Sequence, residues 1–141
     1  MRVQSSRIEN KHLRVKSINI GACLYEVYDK ERKINLILNL GSTKNYSSKN
    51  FYVGATCGRY AGRISNSEFK IKNKTFKLDG NEGRNTLHGG KIGFDRLEWK
   101  IKHHSKTKII YQLLSKNLDQ GFPGDLNSEC IFEIKNKSLF I

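Results

Sequence analysis

The segment Ser67–Leu78 reads SEFKIKNKTFKL, and its alternation limits the fold more than any other feature of the chain. Phe69 and Ile71 alternate with lysines, and Phe76 and Leu78 resume the pattern after Asn73-Lys74. Side chains two apart on an extended chain share a face, so this period puts apolar groups on one side and ammonium groups on the other. Asn tolerates a positive φ, which makes Asn73-Lys74 the expected turn of a β-hairpin. Related patterns recur in HLRVKSINI, ACLYEVYD and INLILNL, and again in RLEWKIKHH, KIIYQLLSK and LNSECIFEIKN. No long stretch keeps a 3.6-residue period. The fold is therefore expected to be all-β, with strands dense enough for a sandwich or barrel.

Glycine marks what lies between the strands. Residues 42–50, STKNYSSKN, read as a polar loop. In FYVGATCGRYAGRIS, Gly54, Gly58 and Gly62 recur every fourth residue. Glycine is a poor helix former, so this is expected to be an irregular, tightly packed segment with close backbone approach. DGNEGRNTLHGGKIGFD carries five glycines in seventeen residues and no periodicity, which suits a long functional loop. In DQGFPGDL, Pro123 and Gly124 suit the central positions of a type II turn. The last residues, NKSLFI, read as a turn and the start of another strand, so residues 1–141 are expected to form an incomplete single domain, a fragment of a longer chain.

Lys and Arg number 26 against 13 Asp and Glu, a net charge of +13. Such an excess admits nucleic acid or an anionic membrane as partner. The lysines, however, are spread from Lys11 to Lys137 and often alternate, as on a solvated strand face, so nucleic acid is disfavoured. Cys23, Cys57 and Cys130 form no C-x-x-C pair. They read as reduced thiols of a cytoplasmic protein. The N-terminus has no apolar signal-peptide core, and no run approaches the ~18 apolar residues of a membrane helix. No metal-ligand spacing and no phosphate-binding glycine motif occurs, so neither metal nor cofactor is expected.

Two positions could carry chemistry. His88 closes a polar, glycine-bounded segment, NEGRNTLHGG. A neutral imidazole can donate or accept a proton there, and Gly89-Gly90 would let a ligand or another backbone approach. A histidine that only hydrogen-bonds its own loop fits the residues equally well. An arginine offers five donors in a planar fork. Arg63 and Arg59 both follow glycine-rich stretches, and position alone does not rank them. His103 and His104 are adjacent on a strand and point to opposite faces, so they cannot act together.

GATCGRYAGRIS, FKIKNKTFKLDGNEGRNTLHGG, GFDRLEWKI and DQGFPGDL, in this order, resemble the aldose 1-epimerase (galactose mutarotase) family. The resemblance starts near Ser17 and implies a large antiparallel β-sandwich, the galactose mutarotase-like supersandwich, of which residues 1–141 would be the N-terminal part. It implies interconversion of the α and β anomers of free aldohexoses such as galactose or glucose, without a cofactor. The active-site arginine of the family falls on Arg63 rather than Arg59, and a sugar-binding histidine on His88. Gly62 occupies a substrate-binding position where many members have Asn. The family's general acid, a second His, and its general base, a Glu, lie in a C-terminal part, and Glu82, Glu129 and Glu133 do not match the base. The resemblance thus implies an inactive fragment. Two alternatives remain: a sugar-phosphate epimerase or non-catalytic carbohydrate binder of the same fold, and a basic nucleic-acid-binding β-domain. Oligomeric state cannot be read from the sequence.

Overall fold

The computed structural model describes residues 2–48 and 52–141. Among these residues the chain opens with β1 (Ser5–Glu9), β2 (Leu13–Ile18), β3 (Cys23–Asp29) and β4 (Ile34–Asn35), an antiparallel sheet in chain order. A one-turn helix, Asn45–Ser48, interrupts the expected polar loop, whose last two residues, with Phe51, lie outside the described residues. β5 (Arg63–Ile64), β6 (Glu68–Ile71), β7 (Lys74–Lys77) and β8 (Thr86–Leu87) form two small sheets, β5 with β8 and β6 with β7. β9 (Lys100–His104), β10 (Lys108–Ser115), β11 (Leu126–Lys135) and β12 (Ser138–Phe140) complete a second antiparallel sheet.

The alternation read from the sequence is what joins the two large sheets. Ile8, Leu13 and Val15 from the first meet Ile109, Tyr111, Phe132 and Ile134 from the second in one buried cluster. Burying each such side chain contributes about 1.5–3 kcal/mol. The Tyr111 hydroxyl, buried between these faces, is satisfied by the first sheet, since the Ser17 hydroxyl lies 2.9 Å from it. The result is an all-β antiparallel sandwich, as the sequence led us to expect. Trp99, buried to 1% exposure, ties the long glycine loop to this core. Its indole N–H donates to the Phe94 carbonyl at 3.0 Å, and the Phe94 ring stands edge-on to it at 5.6 Å.

Two expectations need correction. INLILNL is not a strand along its length, since only Ile34–Asn35 pairs. The Asn35 amide is the cause. Its oxygen accepts the Val27 N–H at 3.0 Å in place of the Leu36 carbonyl, the Leu36 N–H still donates to the Val27 carbonyl at 2.8 Å, and Leu36 and Leu38 emerge exposed. The hairpin turn also sits one residue earlier. Ile71 pairs with Lys74, so the turn is Lys72-Asn73, with the positive φ (53°) on Lys72. Phe69 and Phe76 stack directly across the ladder at 5.6 Å, and that pairing sets the register. His103 and His104 fall opposite Ile110 and Ile109 and do not meet.

Candidate functional site

The two glycine-rich segments lie backbone against backbone, which positions the candidate residues. A Cβ on Gly89 would fall 1.6 Å from the Gly58 carbonyl oxygen, and one on Gly58 would fall 2.2 Å from the Phe94 ring. The close approach allowed by Gly89 therefore serves the chain's own backbone. Through it, β5 and β8 pair at Arg63–Leu87 and Ile64–Thr86, so Arg63 starts one strand and His88, in the turn directly after the other at φ 49°, arrives beside it.

His88 is held from both sides. Its backbone N–H donates to the Gly62 carbonyl at 2.9 Å, and the Gly62 N–H donates to its Nδ1 at 3.1 Å. Gly62 turns at φ 96°, a conformation that favours glycine. Because Nδ1 accepts, the neutral ring carries its proton on Nε2 and offers it as a donor. The Tyr52 ring lies against the imidazole at 4.7 Å.

Arg63 is 61% exposed in its side chain and grips Glu82 with both ends of its fork, at 2.5 and 2.6 Å. The hydrogen bond from Arg63 holds the Glu82 carboxyl below its ordinary value, and the same bond raises Arg63. Arg59 does something else. Its Nε donates to the Ser115 hydroxyl at 2.8 Å. Its Nη1 donates to the Pro123 and Gly124 carbonyls at 3.1 and 2.7 Å, and its Nη2 to those of Ser115 and Lys116 at 2.8 and 2.6 Å. All five donors are used to fasten the glycine segment to β10 and to the turn at Pro123-Gly124, where Gly124 has φ 76°.

Sequence reasoning missed Asn81, Tyr52 and Asp95. Asn81 shapes the loop, its amide donating to the Leu87 and Gly90 carbonyls at 3.0 and 2.9 Å and its oxygen accepting the Leu87 N–H at 2.7 Å. An Asn in a glycine-rich loop was the available signal. Asp95 is buried, which pushes its carboxyl up against the pull of Arg96 and His88. Beside Glu82, an open cavity of about 440 Å³ is lined by Tyr52, Asn81, Glu82, Leu87, Lys91 and Arg96. That volume lies in the range of small-molecule sites, about 300–1,000 Å³.

Residues 4–141 match the family model for aldose 1-epimerase. The chain belongs to the aldose 1-epimerase family. It is 36% identical to an aldose 1-epimerase of Haemophilus influenzae over 119 residues, 82% of this chain and 34% of that protein. With the galactose mutarotase of Sus scrofa it shares 35% over 127 residues, 88% of this chain and 37% of that one. Among solved structures, an aldose epimerase homologue from C. elegans superposes with a TM-score of 0.87 at 26% identity, covering 94% of this chain and 42% of that one. The chain thus spans roughly a third to two fifths of the length of these epimerase relatives. Among the described residues no helix is long and apolar enough to cross a membrane.

Proposed function

We propose that Arg63, His88 and Gly62 form the sugar-binding side of an aldose 1-epimerase site, and that residues 1–141 alone bind a free aldohexose without turning it over. The observation that carries this reading is the Gly62–His88 pair of hydrogen bonds, which leaves an Nε2–H donor on the turn after β8, near Arg63. Mutarotation removes the proton of the anomeric hydroxyl and protonates the ring oxygen. The ring opens, the C1–C2 bond rotates, and closure yields either anomer. Donors placed at the sugar oxygens stabilise the charge that develops there. Arg63 and His88 supply such donors.

The resemblance assigns the acid and base to no residue of this chain, which supports the inactive reading. His103 and His104 belong to β9. Glu82 is occupied by Arg63, Glu129 by Lys102, and Glu133 by Lys108 and Lys135. The three cysteines form no disulfide, which favours a reducing compartment such as the cytoplasm.

Titration with galactose, followed by amide resonances, should give saturable shifts at Gly62 and His88 that His88→Ala abolishes. Polarimetry of fresh α-D-galactose should show only the buffer rate. Absence of saturable binding would overturn the sugar site. Turnover well above the buffer rate that vanished in His88→Ala would overturn the inactive assignment.

A further inference from the structure

The Arg63 side chain is mostly exposed, yet one edge of its fork is fixed. Its Nε donates to one Glu82 oxygen at 2.5 Å, and its Nη2 donates to the other at 2.6 Å. Both partners grow from ordered backbone. Arg63 is paired with Leu87 in the β5–β8 ladder. Glu82 is bridged to Asn85, whose carbonyl accepts the Glu82 N–H at 3.1 Å and whose N–H donates to the Glu82 carbonyl at 2.9 Å. The Asn85 side-chain oxygen accepts the Asn66 N–H at 3.3 Å, which ties this loop to the segment just after β5. The Arg63 hydrogen bond, with His88 acting in the same sense, holds the Glu82 carboxyl below its ordinary value, so it is ionised at neutral pH.

A guanidinium has donors on more than one edge. Glu82 takes the edge formed by Nε and Nη2, and the Nη1 end has no acceptor among the described residues. An exposed arginine without such a clamp samples many rotamers, and a ligand that uses it must order it first, which lowers affinity. The Glu82 clamp orders the fork before any ligand arrives. Resting on the sugar-site reading above, we propose that Glu82 is the positioning residue of Arg63. Its carboxylate holds the Nε edge and leaves the Nη1 end for the sugar oxygens. Glu82 acts through Arg63 alone, because both its oxygens are committed to the fork.

Galactose titration of the 141-residue protein and its Glu82→Gln variant, followed by amide and guanidinium resonances, tests this. Glu82→Gln keeps the shape of the side chain and removes its charge. It should weaken galactose binding about three- to tenfold, the scale of ordering one long side chain. The Arg63 Nε–H resonance should be sharp in the parent and broadened by exchange in Glu82→Gln, with no sugar present. In an Arg63→Gln background there is no fork to orient, so adding Glu82→Gln should change the affinity by less than about twofold. Exposed ion pairs contribute little to stability, so the melting temperature should stay near that of the parent in each variant. Equal galactose affinity in the parent and Glu82→Gln, or an unchanged Arg63 Nε–H resonance, would overturn the inference and leave the sugar site standing. Tighter binding by Glu82→Gln would mean that Glu82 competes with the sugar for the fork, the opposite of positioning. A loss of affinity that persists in the Arg63→Gln background would assign Glu82 to the loop and not to Arg63. No saturable binding by the parent would remove the sugar site, and this inference with it.

Discussion

Arg59 and Arg63 follow similar glycine-rich residues and do opposite things. Five donors of Arg59 end on Ser115, Lys116, Pro123 and Gly124, whereas Arg63 faces solvent beside Glu82. Local sequence could not separate them, because the acceptors of Arg59 lie more than fifty residues away, at the end of β10 and in the following turn. The resemblance chose Arg63, and the hydrogen bonds give a physical reason why Arg59 is not free to serve a ligand. The two should respond oppositely to the same change. A lysine carries a point charge with three donors and cannot span a fork's set of acceptors. Arg59→Lys should therefore lower stability by about 2–4 kcal/mol in urea unfolding, the cost of stranded carbonyl groups. Arg63→Lys should stay within about 0.5 kcal/mol of the parent, as exposed ion pairs do, while galactose affinity falls. A destabilised Arg63→Lys with intact binding would reverse the assignment.

At the scale of elements, the period-2 signal located β2, β10 and β11, because each buries alternate side chains against the opposite sheet, and it located β9, of which only Ile101 reaches the core. It overreached in INLILNL, where Leu36 and Leu38 find no buried face and the Asn35 side chain takes the ladder bond that the Leu36 carbonyl would accept. Long-range burial decides that, and composition does not carry it. The hairpin failed by a single residue for a similar reason. Asn was the residue most tolerant of a positive φ, yet the Phe69–Phe76 pair sets the register and leaves Lys72 in the left-handed region. The candidate site was legible through its glycines and His88, but the roles of Asn81 and Tyr52 depend on contacts across the loop. The turn assignment has a measurable consequence. A side chain in the left-handed region costs about 1–2 kcal/mol, and glycine's extra freedom in the unfolded chain returns part of it. Lys72→Gly should stabilise the protein by about 0.5 kcal/mol in urea unfolding, and Asn73→Gly should give no gain. A gain confined to Asn73→Gly would place the turn at Asn73-Lys74 after all.

For the whole molecule, the balance of charge governs how stability depends on pH. Hydrogen bonds from Arg7 and Lys30 hold the Glu9 carboxyl at about 2. The Asn117 N–H and Lys116 lower Asp125, and Arg63 lowers Glu82. With folded values below the unfolded ones, the unfolded chain binds more protons, so stability falls as pH falls. The contribution is fully present above the unfolded carboxylate range, about 4–4.5, and is lost as pH drops through each folded value. Asp95 acts in the opposite sense, since its raised carboxyl favours the folded state in acid, but it stands against several depressed groups. Self-repulsion adds to the trend. As the 13 acidic side chains become neutral, the 26 Lys and Arg lose their counter-charges. The melting temperature should therefore hold steady above about pH 5 and fall steeply between about pH 4.5 and pH 2. Salt separates the two causes. Surface ion pairs alone would make added salt destabilising, whereas the excess of +13 makes it stabilising through screening at a Debye length of about 10 Å in 0.1 M salt. Melting at pH 7 should rise on going from low salt to about 0.3 M sodium chloride, and rise further at pH 4, where more cations are uncompensated. A fall in melting temperature with salt at both pH values would mean that the paired carboxylates, and not the net charge, set the stability.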